Sequence, residues 1–437
     1  MLRTFRPGHR LVGYPSWQQQ HAWRKLCKLK QARRIPAQEL PHPFSPACRQ
    51  SYSSLPPSLL EKVGRNPEVA KVVLKKGKVQ LFKNGSPMVY SGAVDSVVGR
   101  PPPAIGDTVL VTDGAKQLFA WGVFNSESMF RVRIMQMEEE ILNDPSCFMD
   151  MERLIQTRIS AAVELRKLLD LPSNETNVYR LVNSEGDGLS GLIADVLGGH
   201  LVVASSAAWV EKYRKTIEEA FYKQINPKSI TWKPSIEILK EEGLRIPDPT
   251  ELLMDLSDEV DEIGVIENGI SGGFALNAAV GGASHVTGVD SSGPAIELAK
   301  ANAVLNGIEE GRCTFLRRGV KHFLSLSVAE GKSWDIVILD PPKLAPTRRV
   351  LPRAIATYRR LNALAMRAVN PSGLLMTCSC SGAMTQSGQF LSVLLEAARQ
   401  AGRKLTQLRY AGASPDHTLD VSYPEGAYLT NVLLKVQ

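Results

Sequence analysis

The stretch WDIVILDPPK (residues 334–343) indicates the fold class of the second half of this chain. Four apolar residues follow one another without a break and are ended by Asp340, Pro341 and Pro342. Such a run is typical of a strand that is buried on both faces, as in a parallel sheet. Because proline has no backbone N–H, the two prolines stop the strand. The Asp340 carboxylate is then left at the carboxyl end of the strand, where sheets of this kind bind ligands.

Further strands and helices alternate around this stretch. HVTGVD (285–290), GLLMTCS (373–379) and YLTNVLLKV (428–436) are apolar strand candidates, while GPAIELAKANAVLNG (293–307) and RAIATYRRLNALAMRAVN (353–370) have helical spacing. Alternation of buried strands with helices predicts a doubly wound, mostly parallel α/β sheet. We assign this domain to residues 262–437.

The region before it predicts two other domains. Between residues 66 and 140, short strand candidates are separated by Gly, Pro and Asp, which favours a small β-barrel. AKVVLKKGKVQLFKNG (70–85) is the first β-like stretch of this region. Residues 141–250 predict an α+β module, with a helix over 151–170 and then a strand, an acidic glycine turn and a hairpin over 177–205.

Charge is concentrated at the start of the chain. The formal net charge is +8, but residues 1–60 contain ten of the 52 Lys and Arg and one acid, Glu39, so the remainder is nearly neutral. An Arg-rich, acid-poor leader is typical of mitochondrial or chloroplast transit peptides, and a basic RNA-binding arm is the alternative. We assign residues 1–65 to this leader and a Pro- and Ser-rich linker. A membrane span is not expected, because no uncharged run reaches about 18 apolar residues.

A glycine turn and an acid suggest a nucleoside site. SGGFALNAAVGG begins at Ser271 and places Gly272 and Gly273 before a helix, and the next strand ends in Asp290. Glycines let the backbone approach a ligand, and a carboxylate at this place commonly binds ribose hydroxyls. The alternative for Asp290 is a cap of the following helix.

Two cysteines, Cys378 and Cys380, follow the apolar run of GLLMTCSCSG (373–382). No neighbouring ligands complete a zinc site, and a redox pair usually has two intervening residues, so no metal is predicted. Two small buried residues and a nucleophile remain as interpretations. Parallel neighbouring strands end at the same edge, so Cys380 is expected near Asp340, and this favours the nucleophile. The six cysteines in 437 residues do not suggest a disulfide framework.

The segments YRLVNSEGDGLSGLIAD (179–195), SGGFALNAAVGGA (271–283), DIVILDPPK (335–343) and LLMTCSCSG (374–382) occur in this order. Together they resemble the large-subunit ribosomal RNA cytosine carbon-5 methyltransferases of the bacterial methyltransferase I type. The resemblance implies a PUA domain, a central α+β module and a class I S-adenosylmethionine domain. With the basic leader, it suggests an organellar version from a plant or another eukaryote, with a cytoplasmic location as the alternative.

The resemblance also implies roles for individual residues. Cys380 would attack carbon 6 of a flipped-out cytosine, and Asp340 would lie near the base. The implied contacts to S-adenosylmethionine are Ser271, Gly272, Gly273, Phe274, Asp290, Ser291, Asp340 and Pro341. The implied contacts to RNA are Lys75, Lys76, Lys78 and Lys343, although a solvated strand face also explains the first three. A lysine at position 343, where exocyclic-amine methyltransferases carry an aromatic, argues against that reaction.

The chain departs from the family pattern next to the cofactor site. A segment that precedes the glycine turn in the family is missing, and IGVIENG (263–269), ending near Glu267, is a candidate replacement for the lost central strand. Arg318 and Gly319 stand where the family tends to have an acid that contacts adenine. Two hypotheses of different classes therefore remain, an active RNA methyltransferase or a catalytically impaired isoform that only binds RNA, and a methyltransferase of the same fold that acts on another base is a third alternative. The target nucleotide, general base and oligomeric state are not determined, and a homodimer is compatible with the sequence.

Overall fold

The computed structural model describes residues 2–4, 69–115, 117–244 and 273–437, the first of these as backbone only. Leu2–Thr4 form a short strand, β1, and the strands of the described residues, β1 included, form three sheets of six, four and seven strands. The first two sheets and their helices follow one another along the chain, and the third contains all the later strands together with β1. The predicted multidomain fold is confirmed.

The first domain is a mixed six-stranded sheet. Its strands are β2 (Lys71–Leu74), β3 (Met88–Tyr90), β4 (Val94–Val98), β5 (Thr108–Thr112), β6 (Leu118–Phe124) and β7 (Phe130–Met137). They lie in the order β3–β7–β6–β5–β2–β4. The β-like interpretation of residues 70–85 was wrong for its second half, where Val79–Lys83 form a helix, α1, with Phe82 buried. Five residues are too few for periodicity to separate a helical turn from a strand.

The central module is a four-stranded sheet covered by helices. Its elements are α2 (Glu138–Asn143), α3 (Met151–Leu168), β8 (Val178–Asn183), β9 (Leu192–Leu197), β10 (His200–Ser205), α4 (Ala208–Lys212), α5 (Arg214–Ile225), β11 (Ser229–Pro234) and α6 (Ile236–Glu241). The predicted helix and hairpin are confirmed, and the hairpin turns at Gly198 and Gly199, which both have positive φ. A short 3₁₀ helix, Ser184–Asp187, forms the acidic glycine turn between β8 and β9.

The C-terminal domain is a seven-stranded sheet flanked by helices. Its elements are α7 (Phe274–Val280), β12 (His285–Asp290), α8 (Gly293–Leu305), β13 (Cys313–Arg317), α9 (Val320–Ala329), β14 (Trp334–Leu339), α10 (Leu351–Arg367), β15 (Val369–Ser379), α11 (Gly382–Ser387), α12 (Phe390–Ala401), β16 (Leu405–Ala411) and β17 (Thr430–Val436). The strand order is β13–β12–β1–β14–β15–β17–β16. β14 pairs in parallel with β15, and β17 runs antiparallel to β15 and β16.

The strand at the centre of this sheet comes from a part of the chain that the sequence analysis did not predict. β1 lies between β12 and β14 and is antiparallel to both, so the amino end of the chain fills the place where the order of the sheet switches. Within the described ranges, no strand leads directly into Gly273. The candidate replacement strand at 263–269, with Glu267, lies outside the described residues.

No helix in the described ranges has the length and apolar character that crossing a membrane requires.

Candidate active site

The ends of β14 and β15 bring two sequence motifs together. The strands pair in parallel, with Leu339 opposite Thr377, so the DPP turn and the two cysteines leave the sheet at the same edge. The Cys380 sulfur lies 3.7 Å from the Pro341 carbonyl oxygen. The structure therefore places Cys380 beside Asp340 and Pro341, two residues that are 40 and 39 positions away in the chain.

The two thiols at this edge differ in accessibility. Cys378 is only 5% exposed, and burial, with a smaller effect of the Asp340 carboxylate, raises its pKa to about 12. Cys380 is half-buried. Desolvation and then Asp340 raise the pKa of Cys380, while the Lys343 ammonium lowers it. Because a thiolate is the reactive form of cysteine, Cys380 is the better placed of the two to react, and it needs activation at neutral pH.

Asp340 follows the last residue of β14 and lies at the surface of the same edge. Partial desolvation raises the pKa of its carboxyl group. The raised pKa and the proximity of a thiol make this carboxyl a candidate functional group, since groups with perturbed pKa values cluster at reactive sites.

Buried hydroxyl groups hold the Cys380 loop in place. The Tyr358 hydroxyl, on α10, lies 2.9 Å from the Ser379 hydroxyl and 3.1 Å from the Ser381 hydroxyl. The Ser381 hydroxyl also accepts a hydrogen bond of 3.0 Å from the Ala345 backbone N–H. All four of these residues are buried. The two residues that flank Cys380 are thus both tied to the helix, and Ser381 is also tied to the loop that follows Asp340.

Sequence reasoning missed this network. The available signal was the Ser-Cys-Ser pattern at 379–381, since serines beside a candidate nucleophile are suited to fixing its backbone, together with a tyrosine on the apolar side of the helix. The sequence does not show that the serines and the tyrosine are in contact, because 21 residues separate Tyr358 from Ser379.

The four cysteines of the described residues are free thiols. In the same part of the chain, no three His, Cys, Asp or Glu side chains converge to hold a metal ion.

The glycine turn is described only in part. Gly273 precedes the first residue of α7, is exposed, and would meet no atom within 4 Å if it carried a Cβ. Phe274, the first residue of the helix, is 39% exposed. Ser271 and Gly272 lie outside the described residues, so their predicted contact with the cofactor stays a prediction.

Asp290 and Ser291 are exposed where β12 ends. The Asp290 carboxylate accepts a hydrogen bond of 2.7 Å from the Ser292 N–H, and it is the Ser292 side chain that caps α8 by accepting from Ala295 N–H. Capping of α8 thus does not explain Asp290, and its carboxylate is accessible to a ligand. Arg318 is exposed nearby and donates its backbone N–H to the Asp290 carbonyl oxygen at 2.8 Å.

Lys75, Lys76 and Lys78 are exposed and lie in the turn between β2 and α1. The alternative of a solvated strand face is therefore wrong in its geometry, because β2 ends at Leu74. The Lys75 ammonium donates a hydrogen bond of 3.0 Å to the Gly92 carbonyl oxygen. Among the described residues, these lysines make no direct contact with Lys343. Their role in RNA binding stays a prediction.

Comparison with known proteins identifies the two outer domains. A PUA-like domain matches residues 72–136, and an S-adenosylmethionine-dependent methyltransferase domain matches residues 266–422. Ribosomal RNA large subunit methyltransferase I of Alteromonas mediterranea is 31% identical over 404 residues, covering 84% of this chain and 99% of the relative. The chain belongs to the ribosomal RNA large subunit methyltransferase I family. The family member of Photobacterium profundum is 30% identical over 395 residues, covering 82% of this chain and 97% of the relative.

Solved structures agree with this family assignment at the level of the fold. A protein from Streptococcus mutans, provisionally assigned as an S-adenosylmethionine-dependent methyltransferase, has a TM-score of 0.65 at 17% identity and covers 84% of this chain and 99% of its own. A second provisionally assigned methyltransferase, complexed with S-adenosylhomocysteine, has a TM-score of 0.65 at 16% identity and the same coverage.

S-adenosylmethionine is the cofactor of the family's methyltransferase domain. The described residues fit it at two points. Asp290 presents an accessible carboxylate at the end of β12, and the open space beside Gly273 allows a ligand to approach the backbone. At a third point, where the resemblance implies an acid that contacts adenine, the exposed side chain is that of Arg318, which offers no carboxylate for such a contact.

Proposed function

We propose that this family member methylates carbon 5 of a cytosine in large-subunit ribosomal RNA and uses Cys380 as a covalent nucleophile. The observation that carries the proposal is the position of a half-buried thiol at the carboxyl edge of the sheet, 3.7 Å from the Pro341 carbonyl and beside the Asp340 carboxyl group. A second support is the hydroxyl network that fixes both neighbours of Cys380.

The residues at the edge would supply the nucleophile of this reaction and contacts to the base. The Cys380 sulfur forms a bond to carbon 6 of the flipped cytosine, and the electrons of the 5,6 double bond make carbon 5 nucleophilic. S-adenosylmethionine, when bound, supplies the electrophilic methyl group. Removal of the proton from carbon 5 by a base then restores the double bond and releases Cys380 as a thiolate. Asp340 would contact the base, and Lys343 would favour the thiolate form of Cys380.

The proposed cofactor contacts are the residues of the glycine turn and of the two strand ends. They are Ser271, Gly272, Gly273, Phe274, Asp290, Ser291, Asp340 and Pro341. Asp290 would bind the ribose hydroxyls, and the turn would approach the methionine part.

A cationic segment next to the nucleophile supports an RNA substrate. Lys343, Arg348, Arg349 and Arg353 are exposed, and residues 343–353 contain no acid. None of the three arginines has a carboxylate partner among the described residues. Ala345 and Tyr358 both bond to the Ser381 hydroxyl. The Cα atoms of Ala345 and Arg348 can be at most about 11 Å apart. Those of Arg353 and Tyr358 are separated by about 7.5 Å along the helix axis. The cations thus lie within reach of the phosphates beside a flipped base.

Covalent trapping tests the nucleophile. RNA that contains 5-fluorocytosine cannot lose a proton from carbon 5, so the adduct with Cys380 should persist with the wild-type protein. Cys380→Ala should abolish it, while the matched control Cys378→Ala should retain it. Methyl transfer without an adduct would rule out the cysteine mechanism. Absence of S-adenosylmethionine binding in a calorimetric titration at millimolar ligand would instead favour the catalytically impaired, RNA-binding isoform.

Salt dependence of RNA binding tests the cationic segment. For single-stranded RNA, each lost phosphate contact should reduce the slope of log K against log salt by about 0.7, so Arg348→Ser/Arg349→Ser should reduce it by about 1.4. Arg399→Ser is the control, because Arg399 is exposed at the end of α12, on the opposite edge of the sheet. An unchanged slope in the double variant would contradict the RNA contact.

We further propose an organellar location, on the basis of the basic leader, which lies outside the described residues apart from β1. If import removed the leader, β1 would be lost from the centre of the sheet. Mass spectrometry of the amino terminus of the protein isolated from organelles tests this point. A mature chain that still begins at residue 1 would contradict a cleaved transit peptide.

A further inference from the structure

The connection between β16 and β17, residues 412–429, runs along the catalytic edge of the sheet. β17 is antiparallel to β15, and its first residue, Thr430, pairs with Ser379, the last residue before Cys380. Because of this register, the β16–β17 connection ends directly beside the candidate nucleophile.

The helix that follows Cys380 rests on this connection. The Thr385 hydroxyl, on α11, donates to the Tyr428 carbonyl oxygen at 3.2 Å and lies 2.9 Å from the Thr430 hydroxyl. The Gln386 amide donates to the Glu425 carbonyl oxygen at 2.8 Å. A displacement of the β16–β17 connection would therefore be passed to α11, which begins two residues after Cys380.

The other side of the connection is docked on the acidic glycine turn of the central module. The Thr418 hydroxyl donates to Asp187 Oδ2 at 2.8 Å, and the Asn183 amide donates to the Thr418 carbonyl oxygen at 2.7 Å. The Arg180 backbone N–H donates to Asp416 Oδ2 at 2.8 Å. Two residues of the connection thus share three hydrogen bonds with a different domain.

A buried guanidinium completes the docking site. Arg166, on α3, is fully buried and is paired with the Asp187 carboxylate. It also donates a hydrogen bond of 2.7 Å to the Asp416 carbonyl oxygen. Charge-assisted hydrogen bonds of this kind are stronger than neutral ones and fix geometry. The charge of Arg166 is compensated within the central module, so its bond to Asp416 serves to hold the connection.

Gly186 shows how closely the two domains approach. A Cβ at this position would lie 2.1 Å from the Thr418 carbonyl oxygen. The φ of Gly186 is not positive, so the turn itself does not require glycine. The three atoms nearest to such a Cβ all belong to Thr418, so the docked β16–β17 connection excludes a side chain there.

We propose that the central module positions the nucleophile of the methyltransferase domain through the β16–β17 connection, with Gly186, Arg166 and Thr418 as positioning residues. The turn that docks the connection lies in the central module, whereas Cys380 and its hydroxyl network lie in the C-terminal domain, so the site is complete only when the two are engaged. The inference depends on the proposed function of Cys380 only where adduct formation with RNA is measured. Chemical labelling of the Cys380 thiol tests it independently.

Gly186→Ala in the full chain is the test, because it forces the Thr418 carbonyl to move by about 1 Å, a displacement that can reduce a rate by about 100-fold. Gly412→Ala is the matched control, since a Cβ there meets only the Leu429 carbonyl, at 3.8 Å. The readouts are iodoacetamide labelling of Cys380 and Cys378, quantified by peptide mass spectrometry, adduct formation with 5-fluorocytosine RNA, and RNA affinity.

In Gly186→Ala we expect faster labelling of Cys380, unchanged labelling of the buried Cys378, and adduct formation slower by about 10- to 100-fold, with RNA affinity within a factor of about two. Equal labelling of Cys380 in Gly186→Ala and the wild type would overturn the inference. Faster labelling of both cysteines would also overturn it, because that indicates general loosening. If the wild type forms no adduct, the proposed function fails, and the labelling ratio still decides the inference. Thr418→Ala, which removes a hydroxyl without a clash, should show the same pattern more weakly if Gly186→Ala does not fold.

Discussion

Replacement of Tyr358 by phenylalanine should loosen the Cys380 loop and little else. The ring of Tyr358 is fully buried and packs edge-on against Phe390, with centroids 5.6 Å apart, so Tyr358→Phe keeps the packing and removes only the hydroxyl. That hydroxyl is the shared partner of Ser379 and Ser381. The variant therefore changes the support of Cys380 without touching the thiol.

The structure sets the magnitude of this effect. Two buried hydrogen bonds are lost, each contributing about 1 kcal/mol net. Ser381 keeps its bond from the Ala345 N–H, and the Ser379 hydroxyl keeps one from the Ser381 N–H at 3.3 Å, so neither is left without a partner. The expected loss is about 2 kcal/mol, which is roughly a 30-fold increase in local opening.

Hydrogen exchange measured by mass spectrometry reports this opening directly. Peptides that cover residues 379–388 should lose protection by about 30-fold in Tyr358→Phe, and peptides from the central module should not change. Tyr410→Phe is the control, because Tyr410 is 48% exposed on β16. Protection of the loop within about twofold of the wild type would refute the argument that these hydroxyls hold Cys380.

Three further predictions concern charge. Asp340→Asn should lower the pKa of Cys380, since the carboxylate raises it, and should speed iodoacetamide labelling at pH 8; slower labelling would contradict this. Asp290→Ala should weaken S-adenosylmethionine binding by roughly 10- to 100-fold in calorimetry, the value of one or two hydrogen bonds to a charged group, and unchanged affinity would exclude the ribose contact. Hydrogen bonds lower the pKa of Asp416, so its ionised form stabilises the fold above about pH 4, and this contribution is lost as the pH falls through the lowered pKa. Asp416→Asn should therefore reduce the melting temperature more at pH 7 than near pH 2, and an equal reduction at both would contradict the assignment.

Local sequence patterns were sufficient to predict much of the secondary structure of the C-terminal domain. Uninterrupted apolar residues predicted β14 and β15, and the prolines after Asp340 predicted where the first of them ends. The register of two parallel neighbours then placed Cys380 beside Asp340. These inferences succeeded because burial on both faces leaves a signature in a few consecutive residues.

The secondary structure of short amphipathic segments was harder to predict from the sequence. VQLFK was expected within a β-like region and forms α1, because its single buried side chain, Phe82, is compatible with either period. The strand at the centre of the C-terminal sheet was sought just before the glycine turn, and the structure fills that place with residues 2–4. Periodicity carries no information about which distant segment completes a sheet.

From residue order alone, one can derive the fold class, the pair of Cys380 and Asp340, and the open glycine at 273, since each depends on neighbours in the chain or on adjacent strands. The partners of Arg166 could not be derived in this way, because Asp416 is 250 residues away and belongs to another domain. Nor could the need for glycine at 186, which arises from the approach of Thr418 rather than from the backbone conformation of its own turn. Contacts of this kind depend on how complete domains pack, and packing is a property of surfaces that form only after the separate segments have folded.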